Sequence, residues 1–459
     1  MKLQFLGATG TVTGSRFHLS NQNNSWLIEC GLYQGLKELR ERNWQNLPLT
    51  LETLNAVILT HAHIDHSGYL PVLTNRGYEG PVYASESTVE LCKILLPDAG
   101  FLQEEDARFA AKKGFSKHHP PLALYTYADA INSLQYLKAL ADRQWVQLAD
   151  NVRLMLRPSG HILGSRFVNI SVDEKHRHYN VLFVGDIGGY DSLIAVDPGQ
   201  VKSVTYLVLE ATYGDRLHDE EDILTRFEGM INRTIERGGK IIIPAFAVGR
   251  TQEVLFILRK LEKQGRLANI PIFLNSPLAI DATDIYIRFM HEHNFFENGE
   301  TTREVFHPSR LVLVHDSEDS KHLNDLKEPA IIVSSSGMMT GGRILHHLKA
   351  YLPDPNSTLV ITGFQAAGTR GRAILDGAKA VKIHGVPVAV KAEIQFVESL
   401  SAHADWRDIM RWLKGFESPP KTTFLVHAEP DAATAMKAHI EDELGWKVAI
   451  PKYLEKAEL

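Results

Sequence analysis

The sequence predicts an α/β protein with more than one domain. Short apolar, β-branched runs alternate with longer periodic stretches along its 459 residues, which is typical of buried strands alternating with helices. A domain holds roughly 150 residues, so the length favours two or three domains. Candidate metal ligands cluster at 61–66, 161 and 186 and reappear at 403 and 427, whereas the stretch between 215 and 395 carries glycine and arginine motifs instead. This distribution predicts a catalytic domain interrupted by an inserted α/β domain.

Five apolar runs carry the strand prediction, at 57–59, 181–184, 206–209, 241–243 and 331–333. Their β-branched content suits strands that are buried on both faces. The periodic stretches at 85–111 and 220–237 predict helices.

Composition narrows the class of protein. Hydrophobic residues make up 44% and charged residues 23% of the chain, as in ordinary globular proteins. The net charge of −6 argues against a broadly basic protein that coats nucleic acid. It leaves a nucleic-acid enzyme open, because bound metal ions would add positive charge locally.

Cys30 and Cys92 are the only cysteines, so the sequence predicts no disulfide framework. A metal would therefore be bound by histidines and carboxylates. The N-terminus lacks the apolar region of a signal peptide, and no apolar run is long enough to span a bilayer. We therefore expect a cytoplasmic protein with no membrane partner.

The strongest chemical signal is the segment HAHIDH at 61–66, which follows the predicted strand at 57–60. A strand that ends in a loop can direct alternate side chains to one point, so His61 and His63 could face one metal while Asp65 and His66 reach a second. Imidazole nitrogen and carboxylate oxygen are suitable zinc ligands. A solvated histidine-rich loop is the plainer alternative.

Two distant residues extend this cluster. His161 lies among small residues in PSGHILGS at 158–165, and Asp186 directly follows the strand at 181–184. Either residue alone would more often be structural. With the first cluster they form a set for two metal ions, with Asp186 as the bridge, and two such ions can activate a hydroxide for in-line displacement.

The segment HAHIDH resembles the signature of the metallo-β-lactamase superfamily. That signature alone leaves thioesterases, lactonases and nucleases open. Later motifs resemble the β-CASP group of nucleases, in the expected order: LEATYG at 209–214, PAFAVGR at 244–250, SSGMMTGGR at 335–343, SAHAD at 401–405 and LVH at 425–427. The form HAHIDHSG looks like the branch of the cleavage and polyadenylation endonuclease, in its compact bacterial form, rather than ribonuclease J.

The resemblance implies a metallo-β-lactamase αββα sandwich with an inserted β-CASP α/β domain. The expected boundaries are 1–207 for the first part of the metallo-β-lactamase domain, 208–394 for the β-CASP domain and 395–459 for the second part. Homodimerisation is consistent with the resemblance, although no segment demonstrates it.

Carried over residue by residue, the resemblance implies two Zn²⁺ ions and seven ligands. The first zinc is assigned to His61, His63 and His161. The second is assigned to Asp65, His66 and His427, and Asp186 bridges the two.

The same resemblance implies catalytic roles for Asp65, Glu210 and His403. His403 would protonate the departing oxygen, and Glu210 would orient His403 and keep it charged, because a neighbouring carboxylate raises the pKa of an imidazole. The histidine at position 427 favours RNA over DNA as the substrate. The implied reaction is attack by a metal-bridging hydroxide on RNA, which leaves 5′-phosphate and 3′-hydroxyl ends.

Substrate contacts are predicted in the glycine-rich motifs, where a guanidinium can reach phosphate oxygens in a forked geometry. The predicted substrate-binding residues are Arg250, Ser336, Arg343, Arg370 and Arg372. Solvated or ion-paired side chains are the alternative for each arginine. The basic stretch at 112–119 could also contact RNA, but we interpret it as a solvated surface loop.

Three positions depart from the family pattern. Glu29 and Asn275 each stand where an aspartate is usual, and Ala428 replaces a usual glycine. None removes a ligand, although the longer side chain of Glu29 could alter the support of a metal-bound histidine.

The sequence therefore predicts a zinc-dependent ribonuclease acting on single-stranded RNA as an endonuclease, with 5′-exonuclease action as an additional hypothesis. A hydrolase of small esters or thioesters and an inactive RNA-binding scaffold are the alternatives. The inserted domain and the Glu210–His403 pair count against the first alternative, and the complete ligand set counts against the second.

Overall fold

The computed structural model describes residues 1–113, 122–174, 177–219, 221–294 and 304–459. Residues 114–119 of the basic stretch lie outside the described residues. The strands are β1 (Lys2–Phe5), β2 (Phe17–Ser20), β3 (Ser25–Ile28), β4 (Ala56–Ile58), β5 (Val82–Ser85), β6 (Leu137–Leu140), β7 (Val146–Ala149), β8 (Val152–Pro158), β9 (Arg166–Glu174), β10 (Arg177–Phe183), β11 (Tyr206–Glu210), β12 (Ile241–Pro244), β13 (Ile272–Leu274), β14 (Leu311–Leu313), β15 (Ile331–Ser334), β16 (Thr358–Ile361), β17 (Ala380–Ile383), β18 (Val386–Ala389), β19 (Glu393–Phe396), β20 (Thr422–Val426), β21 (Val448–Ala449) and β22 (Lys456–Glu458).

The helices are α1 (Lys37–Glu41), α2 (Ile64–Ser67), α3 (Leu70–Asn75), α4 (Glu86–Lys113), α5 (Tyr127–Ser133), α6 (Ile223–Glu236), α7 (Arg250–Lys263), α8 (Pro277–Arg288), α9 (Ser317–His322), α10 (Ile344–Tyr351), α11 (Arg370–Leu375), α12 (Trp406–Leu413) and α13 (Pro430–Leu444). None of the described helices has both the length and the apolar character needed to cross a membrane.

The chain divides into two compact units. The first consists of Met1–Leu217 and His403–Leu459, and the second is His218–Ala402. Our expected boundaries at 207/208 and 394/395 fall inside β11 and β19, respectively. The division lies later at both points because β11 pairs with β20 in the first unit, while β19 pairs with β16 in the second.

Two seven-stranded sheets form the first unit, in the orders β22-β1-β2-β3-β4-β5-β6 and β21-β20-β11-β10-β9-β8-β7. Apolar side chains from both sheets share one buried cluster, which includes Phe5, Trp26, Val168 and Phe183. A second cluster packs Trp412 of α12 and Met436 of α13 against the second sheet. Helix α4 contacts β5 and β6 of the first sheet. The unit is therefore a four-layer sandwich with two sheets in the middle.

The second unit is built on a parallel six-stranded sheet of order β14-β13-β15-β12-β16-β19. The strands β12, β15 and β16 are buried throughout, as is usual where helices cover a parallel sheet on both faces. The edge strands β14 and β19 are partly exposed. A separate hairpin pairs β17 with β18. The α/β prediction is confirmed in both units.

Candidate metal centre

Five histidines and two aspartates meet at one edge of the first unit. The segment 61–66 runs from the end of β4 into α2, and His161 lies in the turn after β8. Asp186, Glu210 and His427 follow or end the strands β10, β11 and β20, which run parallel to one another. Parallel strands bring their carboxyl ends to one edge of a sheet, so distant parts of the sequence converge there.

Glycine makes this convergence possible at two positions. A Cβ atom on Gly185 would lie 2.3 Å from Oγ1 of Thr60, and one on Gly188 would lie 1.9 Å from the carbonyl oxygen of Gly160. Both distances are too short for any side chain. The turn that carries Asp186 can therefore approach the turns that carry His61 and His161 only because glycines occupy these sites.

The first donor group consists of His61, His63, His161 and Oδ2 of Asp186. Nδ1 of His63 lies 3.1 Å from Nε2 of His61 and 3.3 Å from Nε2 of His161. Oδ2 of Asp186 lies 3.4 Å and 3.3 Å from the same two Nε2 atoms. Tetrahedral zinc with ligands at about 2.0–2.1 Å separates its ligand atoms by about 3.3 Å. The first donor group therefore has the spacing of a tetrahedral site.

The second donor group consists of Asp65, His66, His427 and Oδ1 of Asp186. Nε2 of His427 lies 3.3 Å from Nε2 of His66 and 3.4 Å from Oδ2 of Asp65. Nε2 of His66 lies 3.6 Å from Oδ2 of Asp65 and 3.3 Å from Oδ1 of Asp186. The two oxygens of Asp186 thus belong to different donor groups.

In both groups the donor atoms are better satisfied by a bound cation than by contacts among themselves. Oδ1 of Asp186 is buried and accepts no hydrogen bond from any described residue, which is costly for a carboxylate unless a cation is bound. Imidazole nitrogens that face one another at these distances also need a cation or a proton between their lone pairs. Each group can therefore hold a metal ion. Donor atoms lie within 4.8 Å of one another in the first group, and in the second group those of Asp65, His66 and His427 do so.

The electrostatics of the first donor group agree with this fit, whereas in the second group burial is outweighed by Asp186, Asp65 and Glu29, which raise the pKa of His66. Burial and the neighbouring His66 lower the pKa of His61 to about 3, and burial lowers the pKa of His63 to about 4. Although burial acts against it, the surrounding histidines hold the pKa of Asp186 well below its usual range. Neutral imidazole and ionised carboxylate are the forms that bind metals.

Two threonines that the sequence analysis missed orient the histidines. Oγ1 of Thr60 lies 2.9 Å from Nδ1 of His61, and Oγ1 of Thr212 lies 3.0 Å from Nδ1 of His427. The Thr212 hydroxyl donates to Glu210, so its oxygen accepts the Nδ1 proton of His427. Nε2 of His427 is then left as the donor atom that faces the second group. Thr212 lies inside the motif at 209–214, and this position was the feature of the sequence that could have identified it.

Glu29 supports the second donor group from behind. Its carboxylate is fully buried, accepts the backbone N–H of Thr60 at 3.2 Å and lies 3.6 Å from Nδ1 of His66. Burial raises the pKa of Glu29, and the adjacent His66 partly offsets that rise. The departure from aspartate therefore keeps a carboxylate beside His66.

Glu210 and His403 form a pair next to Asp186. Nδ1 of His403 lies 2.9 Å from Oε1 of Glu210 and 3.9 Å from Oδ2 of Asp186. Glu210 also accepts the backbone N–H groups of Ile187 and Thr212, which fixes the carboxylate. Burial alone would lower the pKa of His403, but Glu210 and Asp186 outweigh it and raise the pKa to about 9. A protonated imidazole can act as an acid.

The residues predicted to contact substrate lie in the second unit, and their side chains bind other residues of that unit. Arg250 is buried and paired with Glu253, and Arg372 lies 3.0 Å from Asp376. Arg343 donates to Oδ1 of Asn275 and to two carbonyl oxygens. The contacts of Arg370 are with the carbonyl oxygens of Met339, Thr340 and Lys382, and Oγ of Ser336 accepts the N–H of Thr340. Their roles toward substrate stay predictions.

Comparison with known proteins gives matches along most of the chain. Family models match as the metallo-beta-lactamase superfamily at residues 21–227, the Beta-Casp domain at 251–374 and the Zn-dependent metallo-hydrolase RNA specificity domain at 387–451. Ribonuclease TTHA0252 of Thermus thermophilus is 34% identical over 95% of both chains. The chain belongs to the β-CASP group of the metallo-β-lactamase superfamily. The predicted family and fold are confirmed, and with them the prediction of a metal-dependent hydrolase.

Two further matches cover nearly the whole chain. Transcription termination factor FttA of Methanosarcina mazei is 32% identical over 97% of this chain and 69% of its own length. A crystal structure of a protein of unknown function from Enterococcus faecalis superposes with a TM-score of 0.50 at 12% identity, covering 100% of this chain and 99% of that one. The latter supports the fold alone.

Proposed function

We propose that this β-CASP protein is a zinc-dependent ribonuclease that hydrolyses single-stranded RNA. One observation carries the proposal: the two oxygens of Asp186 face different donor groups, and the His403–Glu210 pair lies beside Asp186. A pair of metal sites with an adjacent acid suits displacement at phosphorus, in which attacking and leaving oxygens both need stabilisation. The name of the Thermus relative, a ribonuclease, supports RNA as the substrate.

Two Zn²⁺ ions belong to this proposal, one in each donor group, with Asp186 as the bridge. The donors are imidazoles and carboxylates without sulfur, a set that zinc accepts in catalytic sites. When bound, the metal ions supply an activated water and neutralise charge on the phosphodiester.

The protein's own residues then position the reacting water and protonate the departing oxygen. Asp65, in the second donor group, is assigned to hold and orient the reacting water through the charge on its carboxylate. His403 donates a proton to the departing 3′-oxygen, and Glu210 holds the Nδ1–H of His403 so that Nε2 carries that proton. The products are a 5′-phosphate and a 3′-hydroxyl, from internal cleavage and from stepwise attack at the 5′ end.

The test compares substrates on one zinc-loaded preparation. RNA labelled at either end, carrying a 5′-triphosphate or a 5′-monophosphate, is incubated beside single-stranded DNA of the same sequence and beside thioesters. We expect cleavage of RNA with 5′-phosphate and 3′-hydroxyl product ends. Hydrolysis of thioesters with intact RNA would overturn the proposal, and RNA binding with less than one zinc per chain would indicate a scaffold instead.

Homodimerisation is part of the proposal and is tested separately. Sedimentation velocity across a range of protein concentrations should show a species of twice the chain mass. A single species at the mass of one chain at all concentrations would refute the dimer and leave the ribonuclease proposal intact.

A further inference from the structure

A surface of the second unit carries lysines and imidazole rings on two adjoining elements. In β17, Val381 and Ile383 are buried while Lys382 is exposed, because alternate residues of a strand point to opposite sides. His384, the next residue on the side of Lys382, is exposed too. Lys382 and His384 therefore present their side chains on the same exposed side of the hairpin.

Helix α10 adds two more residues to this surface. His346 and Lys349 are exposed, whereas Leu345 and Leu348 are buried. Residues three apart on a helix are neighbours on its surface. The imidazole rings of His346 and His384 lie 5.0 Å apart between centroids, so the exposed sides of α10 and the hairpin meet at these two rings.

Arg370 borders the same surface from the first turn of α11. Its Nε donates to the carbonyl oxygen of Lys382 at 2.7 Å, which ties α11 to β17. We call the surface formed by His346, Lys349, Arg370, Lys382 and His384 the cationic face.

The charged groups of the cationic face, Lys349, Arg370 and Lys382, are all positive. Burial, His384, Lys349 and Lys321 lower the pKa of His346, and burial, Arg370 and Lys349 lower the pKa of His384. No carboxylate of the described residues is among these influences. Lys349 and Lys382 form no ion pair with any residue that the structure describes. A concentrated positive surface on a chain of net charge −6 favours an anionic ligand.

The position of His384 points to a use for its ring. His384 and Gly385 connect β17 to β18 with φ angles of 49° and 85°, the backbone of a tight turn in which asparagine or glycine is preferred at the first position. The turn itself does not require an imidazole. An exposed ring at this point, beside the ring of His346, provides a flat surface on which a base can stack.

We propose that the cationic face is an RNA-binding site of the second unit, separate from the metal-donor residues of the first. Lys349, Lys382 and Arg370 bind successive phosphates of a single strand, and the rings of His346 and His384 stack against its bases. Cations that follow the backbone, combined with rings that accept any base, are the usual means of binding single strands without sequence preference. The inference rests on RNA as the proposed substrate.

The test measures RNA binding by fluorescence anisotropy at several salt concentrations. The zinc-loaded protein carries His403→Ala so that the labelled single-stranded RNA stays intact, which a gel verifies. Each lysine that binds a phosphate of a single strand contributes about 0.7 to the salt-dependence slope. Lys349→Ala/Lys382→Ala should therefore lower that slope by about 1.4 and weaken binding by about tenfold near ~0.1 M salt.

Two further variants complete the design. His346→Ala/His384→Asn removes both rings while asparagine keeps the turn, and should weaken binding by at least about fivefold. The matched control is Lys260→Ala/Lys447→Ala, which removes two exposed lysines that also form no ion pair with a described residue. The control should bind RNA as its parent does, and circular dichroism should show that every variant is folded.

The outcomes separate this inference from the proposed function. Equal affinity and equal salt slope for the lysine variant and its control would overturn the cationic face, whether or not RNA is cleaved. Loss of binding confined to the cationic-face variants would support the face. If the protein that retains His403 also leaves RNA uncut, the ribonuclease proposal is refuted. Loss of binding in the cationic-face variants, together with RNA cleavage by the protein that retains His403, supports both the cationic face and the ribonuclease proposal.

Discussion

Nδ1 of His403 lies 2.9 Å from Oε1 of Glu210, a carboxylate that two backbone N–H groups and the hydroxyl of Thr212 also hold in place. The imidazole is therefore oriented by a group that cannot easily move. We assign its Nε2 to the substrate because Nδ1 is held by Glu210, and the neighbours of the ring favour its charged form. This relationship leads to two predictions about catalysis that do not involve loss of metal.

The first prediction concerns Glu210→Gln, which preserves the volume of the side chain and removes its charge. Glu210 raises the pKa of His403, so the variant should hold the acid form of His403 only to a lower pH. We expect kcat to fall about 100-fold or more and the alkaline limb of the pH profile to move to lower pH. Stopped assays from pH 6 to 10 measure both effects. An unchanged alkaline limb would show that His403 is not the titrating acid.

The second prediction is that His403→Ala abolishes most RNA cleavage while zinc content stays at the parent level. A lost general acid typically costs about 10²–10⁴ in rate, and the donor groups keep all their other residues. Inductively coupled plasma mass spectrometry gives the zinc content of the same sample. His439→Ala, which removes a histidine stacked on Trp406, is the control and should retain activity. Loss of zinc in His403→Ala would mean that His403 is a ligand.

The third prediction separates the two donor groups by metal content. His161 belongs to the first group and His427 to the second, so His161→Ala and His427→Ala should each lose about one zinc per chain. Asp186→Asn should lose more than either, because each group contains one of its oxygens. His18→Ala is the control, since His18 bonds to Ser25 on β3. Equal zinc content in all four variants would contradict the assignment of these residues as ligands.

The fourth prediction concerns the buried carboxylate of Glu29. Supporting groups of this kind typically contribute about 10–100-fold to metal affinity, and Glu29 faces Nδ1 of His66. Glu29→Gln should therefore weaken zinc binding by about that factor in competition with a chelator, without unfolding the protein. Glu86→Gln changes an exposed glutamate at the start of α4 and should leave zinc affinity unchanged. An unaltered affinity in Glu29→Gln would assign the carboxylate to packing alone.

The sequence could predict which residues cluster at the candidate metal centre because histidines and aspartates stand there in a short, recognisable pattern. Asp186 and His427 lie 241 residues apart, and their convergence follows from parallel strands ending at one edge. The supporting groups were harder to predict. Thr60 and Thr212 are ordinary residues whose roles depend on a hydroxyl lying about 3 Å from a particular nitrogen, a distance that no spacing in the sequence encodes. The guanidinium groups of the second unit pose the same problem, because arginine suits a phosphate and a carbonyl oxygen equally well.

The last prediction tests this ambiguity at Arg343. Its Nη1 donates to Oδ1 of Asn275 and to the carbonyl oxygen of Val314, both at 2.9 Å, so it links β13, β14 and the start of α10. We expect Arg343→Ala to lower the free energy of unfolding by about 1–3 kcal/mol, since it leaves buried acceptors unpaired. Urea denaturation measures this change, and Arg372→Ala, which removes an exposed ion pair with Asp376, should change it by less than about 1 kcal/mol. A stable Arg343→Ala protein that binds RNA more weakly would instead assign the guanidinium to the substrate.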